Sequence, residues 1–301
     1  MIYVIGHKNP DTDSICSAIA YSFFLNKKGM ETKPARAGEI NAETKIVLKK
    51  FSFDQPELLE TADGKELILV DHNEKEQMID GETKIVGVFD HHKINFSYPE
   101  QIYFHAKAVG ATATLVADRF FKHNIDISKE MAGILLGAIL SDTVIFKSPT
   151  TTKKDKEIAS KLNEKLGLNI EELGKEIKKA GMDMDKPAES LILRDFKEFN
   201  FGSKKFGISQ IEIIGVEEFL KERKGEIVEA IKKVKQEKQY DCLIFAVTDI
   251  MKEGSEIFVS GEEEVIEKIF NIKLEQNSAW INGLMSRKKQ ITPPLETFFK
   301  N

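Results

Sequence analysis

Cysteine is scarce. Cys16 and Cys242 are the only two in 301 residues, and each lies in an apolar-rich segment. A disulfide framework is therefore excluded, and two buried, reduced thiols are expected, as in a cytoplasmic protein. Long apolar runs are missing too. The longest, around Gly133 to Leu140, falls well short of the roughly 20 residues that a membrane span needs. Met1 leads straight into the apolar run Ile2-Tyr3-Val4-Ile5, which leaves no room for the basic and apolar regions of a signal peptide. There is no cationic excess: 44 Lys and Arg against 49 Asp and Glu give a net charge of -5. That balance argues against a nucleic-acid partner held mainly by phosphate contacts. Internal repeats and low-complexity tracts are absent. Histidine is absent from the second half, since His7, His72, His91, His92, His105 and His123 all lie in the first. Any histidine chemistry therefore belongs to an N-terminal domain.

What is present is ordinary in bulk. The 41% hydrophobic and 31% charged content can bury a real core, in one large or two medium domains. Short apolar runs read as buried strands at 2–5, 66–70 and 83–89, and helical patterns read from Ile15, near 41–51, over 111–123 and over 129–140. Apolar strands alternating with helices predict a doubly wound, mainly parallel α/β sheet. Two charged helical patterns fill 152–180. The run from Ala180 to Pro187 breaks the pattern, so the linker is placed at about 181–190. It separates a catalytic domain, 1–182, from a smaller substrate-binding domain, 190–301. In the second domain 195–214 alternates as antiparallel strands, 216–238 and 262–270 read as helices, and 241–250 and 256–260 as strands, predicting a mixed sheet.

The stretch Gly6-His7-Lys8-Asn9-Pro10-Asp11-Thr12-Asp13-Ser14 is the chemical centre of the first domain. One imidazole and two carboxylates crowd a turn between a strand and a helix that Asp13 or Ser14 can cap. Such groups at the end of a buried strand repel and desolvate one another unless a cation sits among them. Two further strands end in Asp71 and in Asp90-His91-His92, and Asp142 follows a buried helix. Taken singly, a strand-end Asp is usually a cap. Several elements delivering Asp and His to the carboxyl edge of one sheet point instead to a divalent-metal site. Carboxylates favour hard cations, and imidazole tilts the choice toward Mn²⁺, Fe²⁺, Co²⁺ or Zn²⁺. The candidate ligands exceed what one ion needs, and two ions with a bridging carboxylate and water drive phosphate ester and anhydride hydrolysis.

These residues carry a resemblance. The triplet Asp90-His91-His92 resembles that of the DHH phosphoesterases. The first loop, Val70-Asp71-His72-Asn73-Glu74, Ser141-Asp142-Thr143, and Ser286-Arg287-Lys288-Lys289-Gln290 with Pro293 and Pro294 resemble, in order, the motifs of family II, manganese-dependent inorganic pyrophosphatases. The resemblance implies that His7, Asp11 and Asp71 hold one metal, that Asp13, Asp71, His91 and Asp142 hold the other, and that Asp71 bridges them. It implies that His92 faces the substrate and that Lys197, Arg287 and Lys288 clamp phosphate oxygens; basic residues on a separate domain in turn suggest that closure about a hinge completes the site. The reaction implied is pyrophosphate hydrolysis by a water or hydroxide bridging two Mn²⁺ per subunit, with Co²⁺ as a substitute, Mg²⁺ arriving with the substrate, and a homodimeric enzyme. The alternatives are a DHH-type exopolyphosphatase and an exonuclease or oligoribonuclease. The last predicts a glycine-rich basic groove that the second half lacks. Asp90 is expected to support a metal ligand from behind. His72, His105 and His123 read as supporting or surface residues, and the Met and Phe content as core.

Overall fold

In the computed structural model, residues 1–182 and 185–300 are described. The chain divides into two compact units, Met1–Gly181 and Met182–Asn301. The segment read as the linker includes Asp183 and Met184, which lie outside the described residues.

The first unit is built on six strands: β1 (Ile2–Ile5), β2 (Thr32–Arg36), β3 (Glu57–Leu58), β4 (Glu66–Val70), β5 (Lys84–Asp90) and β6 (Tyr103–Ala106). They form one sheet in the order β3-β2-β1-β4-β5-β6, and every pairing is parallel. The helices are α1 (Thr12–Lys27), α2 (Ala42–Lys50), α3 (Thr112–Lys122), α4 (Lys129–Asp142), α5 (Lys153–Leu166) and α6 (Ile170–Ala180). On one face Tyr21 of α1 stacks on Phe89 with ring centroids 4.5 Å apart. On the other, Ile5, Leu67, Leu69 and Val88 are buried with Leu59, Ala62 and Ile79, which come from irregular segments. The strand order reverses between β1 and β4, and in open parallel sheets that switch point opens the crevice where ligands bind.

The structure corrects some local expectations. Asp11, rather than Asp13 or Ser14, caps α1, its carboxylate accepting from the Ser14 N–H at 2.9 Å. That frees Asp13 to point elsewhere. Asp142 lies inside α4, as its last residue. Strands β2, β3 and β6 were not legible in the sequence.

The second unit holds α7 (Ala188–Ile192), β7 (Phe196–Phe201), β8 (Lys204–Ile213), α8 (Val216–Glu237), β9 (Cys242–Asp249), β10 (Gly254–Ser260), α9 (Glu263–Phe270), β11 (Ser278–Asn282) and α10 (Thr292–Lys300). Its sheet runs β11-β10-β9-β8-β7. β8 and β9 are parallel and the remaining pairs antiparallel, the mixed sheet expected. The core on one face collects Phe206, Ile208, Ile244, Ile257, Leu284 and Ile291. The segment Arg287–Ile291 is a π-helical turn that runs into α10. Pro293 and Pro294 fall in the first turn of α10, where a missing N–H costs nothing.

Candidate metal centre

Local sequence explains how each group is presented. Gly6 leaves β1 so close to α1 that a Cβ there would stand 1.7 Å from Ser14 Oγ. The Ser14 hydroxyl accepts from the His7 N–H at 3.2 Å, which turns the chain at His7. Asp13, 1% exposed, accepts from the Thr112 and Ala113 N–H groups at 2.5 and 2.8 Å. Those donors open α3, where unpaired N–H groups favour a carboxylate. Asp71 follows β4 in the left-handed region, φ 63°. A non-glycine residue there is worth attention at a site, and Asp is among the types that tolerate it. The Thr112 hydroxyl donates to Asp71 Oδ1 at 3.0 Å.

The carboxylate of Asp71 faces two clusters. Its Oδ2 lies 3.5 Å from His7 Nε2, which is itself 3.8 Å from Asp11 Oδ1. Its Oδ1 lies 3.4 Å from His91 Nε2, and His91 Nε2 lies 3.4 Å from Asp142 Oδ2. In each of the trios His7–Asp11–Asp71 and Asp13–His91–Asp142, one ligand atom per residue lies within 4.8 Å of the others. His91 shows that this set fits a cation. Its Nδ1 sits 2.9 Å from the Val109 carbonyl, which assigns the proton to Nδ1 and leaves Nε2 a lone pair. That atom is buried with no hydrogen-bond partner among the described residues, and it faces carboxylate oxygens. A lone pair among anions is costly unless a cation lies between them. The donor set, four carboxylates and two imidazoles, suits first-row divalent metals better than Ca²⁺.

Without a cation, protons gather there instead. Burial opposes charge on His7, but Asp11 and Asp71 outweigh it and raise its pKa to about 10. Burial likewise opposes charge on His91, which Asp71, Asp13 and Asp142 raise to about 10. Burial, then the charge of Asp71, raises Asp142 to about 7, and the same causes push Asp13 upward. Asp71 goes the other way: burial would raise it, but His7 and His91 hold it well below the usual carboxylate range. A raised folded value contributes stability that is complete below the unfolded value and lost as pH rises through the folded one. For Asp142 that window runs from 3.8 to about 7, and for the two histidines from 6.5 to about 10. Chelator-treated protein is therefore expected to melt at progressively lower temperature between about pH 5 and pH 9. Mn²⁺-loaded protein is expected to resist this trend, because deprotonated ligands bind metal better. Calorimetry of both forms across that range is the check. A gap that narrows with pH contradicts the assignment.

Asp90 is fully buried and accepts from the His91 N–H at 2.7 Å, the His92 N–H at 3.2 Å, and the Asn73 side-chain amide at 2.6 Å. Its Oδ1 also lies 2.9 Å from His92 Nδ1. It is the pivot of the Asp90-His91-His92 turn. His92 is half-exposed and 4.0 Å from Asp71 Oδ1. The hydrogen bond that His92 Nδ1 donates to Asp90 raises the pKa of His92. Asn73, which follows His72 in the second motif, has a structural role here. It joins the turn to its surroundings through the Lys93 carbonyl and the Asn95 N–H. Asp155 was missed. Fully buried, it accepts from Gly110 N–H, Thr114 Oγ1 and Thr152 and so fixes the segment that offers Thr112 and Ala113 to Asp13. The spacing Thr152-x-x-Asp155 is a capping-box signal that could have marked it. His72 is buried with Nδ1 on the Val70 carbonyl, while His105 stacks on Phe89 and His123 packs against Phe24.

The first unit thus brings together His7, Asp11, Asp13, Asp71, His91, His92 and Asp142. Lys197, Arg287 and Lys288 belong to the second unit. Arg287 is buried. Its Nη1 donates to the Asp195 and Ile208 carbonyls and its Nη2 to Asp195 Oδ1 at 3.1 Å. Lys197 pairs with Ile208 in the β7–β8 ladder, so Lys197 and Arg287 share one corner. Lys197 and Lys288 are exposed.

The comparisons agree with this architecture. The DHH family, N-terminal domain model matches residues 1–139, and the DHHA2 domain model matches 175–298. The manganese-dependent inorganic pyrophosphatase of Methanocaldococcus jannaschii is 50% identical over 98% of both chains. The chain belongs to the manganese-dependent inorganic pyrophosphatase family. The Bacillus subtilis member of that family is 44% identical over 98% of this chain and 97% of its own. A solved structure from Methanococcus jannaschii, described as a family II inorganic pyrophosphatase, covers all of both chains at 48% identity with a TM-score of 0.62. An exopolyphosphatase-related protein from Bacteroides fragilis, 16% identical with a TM-score of 0.50, shares the fold.

Proposed function

We propose that the chain hydrolyses pyrophosphate to two orthophosphates. The observation that carries this is the pair of ligand clusters joined by the two oxygens of Asp71, in a member of this family. In this reading His7, Asp11 and Asp71 hold one divalent cation, and Asp13, Asp71, His91 and Asp142 hold the other. Bound there, two cations supply Lewis-acid polarisation of phosphoryl oxygen and acidify water. Manganese is the metal, as the relatives' names state for them, with cobalt able to replace it and magnesium accompanying the substrate.

The chain's own residues bind and orient. His92, whose Nδ1 is held by Asp90, keeps its ring fixed and offers a proton to an oxygen of the diphosphate. Lys197 and Lys288 supply point charges to phosphate oxygens, and Arg287 the N–H groups it does not spend on Asp195 and Ile208. The working form is a cytoplasmic homodimer with no nucleic-acid or membrane partner. Among the described residues no helix is long and apolar enough to cross a membrane.

Orthophosphate release from pyrophosphate and from polyphosphate, and mononucleotide release from a dinucleotide, each with Mn²⁺, test the reading. Pyrophosphate should be turned over fastest. Turnover of polyphosphate or the dinucleotide without pyrophosphate would replace the proposal with an exopolyphosphatase or a nuclease. Removing one charge-assisted contact by Lys288→Ala should lower kcat/KM for pyrophosphate by roughly 10- to 100-fold, mainly through KM. At this exposed position the side chain is not part of the core, and an unchanged KM would remove Lys288 from the substrate contacts.

A further inference from the structure

The strip Leu284–Arg287, just before the π-helical turn, is held by side chains. Gln210 of β8 accepts from the Arg287 N–H through Oε1 at 2.8 Å, and its Nε2 donates to the Met285 carbonyl at 2.9 Å. The same Nε2 lies 2.9 Å from Thr248 Oγ1 of β9. Thr248 Oγ1 is 2.8 Å from Ser255 Oγ of β10, and Ser255 Oγ donates to the Leu284 carbonyl at 2.5 Å. From within the turn, Gln290 Oε1 accepts from the Met285 and Ser286 N–H groups at 2.9 and 3.0 Å, and its Nε2 donates to the Gly283 carbonyl at 2.8 Å.

This row interrupts an apolar face. Phe206 and Ile208 on β8, Ile244 and Ala246 on β9, and Ile257 and Val259 on β10 all belong to the core. At the next alternate position each strand switches to a polar residue, Gln210, Thr248 and Ser255. Thr248 and Ser255 are fully or almost fully buried. Gln210 is partly buried, and buried polar groups such as Thr248 and Ser255 are costly unless they are fully paired. Here the pairing runs outward, from strand to strand and then onto the backbone that precedes Arg287 and Lys288. A simple end to the sheet would need no such row.

We infer that Gln210, backed by Thr248 and Ser255, is a positioning residue for the phosphate-contacting turn Arg287–Lys288. Gln210 itself touches no substrate. It grips one peptide on either side of Ser286, so the backbone that carries Arg287 and Lys288 has one register against the sheet. The inference rests on the reading that Lys288 contacts substrate phosphate, and the test separates the two.

The experiment is a double-mutant cycle of Gln210→Leu and Lys288→Ala in the Mn²⁺-loaded full chain, with pyrophosphate KM and kcat, manganese content and melting temperature recorded for each protein. Gln210→Leu should raise KM about tenfold, the loss expected for a pair of partly buried hydrogen bonds, with manganese content unchanged. The double variant should lose less than the product of the two single losses, because the change at Gln210 acts in part through the Lys288 contact that the other change removes. Additive losses, or a wild-type KM for Gln210→Leu beside a raised KM for Lys288→Ala, would overturn the inference and leave the substrate contact standing. An unchanged KM for Lys288→Ala would overturn the substrate contact, and the inference with it. If Gln210→Leu does not fold, Thr248→Val, which removes the hydroxyl behind Gln210 at nearly constant shape, takes its place in the cycle. It should show the same non-additivity with a KM rise of about threefold, and additivity there counts against the inference equally.

Discussion

Asp71→Asn should lower pyrophosphate hydrolysis at least about 10³-fold and reduce the affinity for metal in both clusters. The prediction follows from the placement of its two oxygens. Oδ2 faces His7 and Asp11, and Oδ1 faces His91, 3.4 Å away. An amide in that position keeps one oxygen and turns an NH₂ toward the other cluster, where a cation would be repelled rather than bound. The substitution is also unusually interpretable. The backbone at Asp71 is left-handed, a conformation that Asn adopts readily. The Thr112 hydroxyl can still donate to the retained oxygen. The variant should therefore fold, and a circular-dichroism melt would confirm that activity was lost without the structure. Manganese content measured after gel filtration, beside phosphate release, decides the matter. Activity within tenfold of the parent, or full manganese content, would remove Asp71 from the bridging position.

Asp71 was legible in the sequence because a charged residue directly after a continuous apolar strand has few structural uses. The same holds for the His7–Asp13 loop and for Asp90-His91-His92. Sequence reasoning worked where residue type and strand end coincided. It failed where polar composition hid a strand. Thr32-Lys33-Pro34-Ala35-Arg36 carries one apolar residue besides its proline, yet β2 lies between β1 and β3. Pro34 pairs with Val4 on one side, whereas β3 reaches only Ala35 and Arg36 on the other, so the missing N–H faces no neighbouring strand. β6 is a four-residue edge strand, too short to stand out by periodicity. Spacing also could not show convergence. Nothing at positions 13, 112 and 113 says that an α3 N-terminus will hold the Asp13 carboxylate. Likewise the sequence gives Arg287 and Lys288 one and the same expected role, whereas Arg287 is buried against Asp195 and Lys288 is exposed.

Asp90 shows the same limit most sharply, and substitution there carries the second large effect. Asp90→Leu should lower stability by about 3–5 kcal/mol, because it strands several buried donors rather than one. Those donors are the His91 and His92 N–H groups and the Asn73 amide, with His92 Nδ1 beside them. In a unit of this size that corresponds to a fall in melting temperature of roughly 6–20 °C. Activity should fall as well, since the turn carries both His91 and His92. Stability and chemistry can be separated with Asp90→Asn. One oxygen can still accept from the two backbone N–H groups, but its NH₂ meets the Asn73 NH₂. Asn73 cannot simply rotate, because its own oxygen holds the Asn95 N–H at 2.6 Å. The expected loss is smaller, about 1–3 kcal/mol. The chemical effect persists, because the hydrogen bond that His92 Nδ1 donates to the Asp90 carboxylate is the first cause of the raised pKa of His92. With that charge gone, the limb of the pH–rate profile set by His92 should move to lower pH. A pH–rate profile for Asp90→Asn that overlays the parent's would show that Asp90 only holds the turn, whereas a shifted limb with most of the stability retained identifies it as the residue that sets the proton on His92.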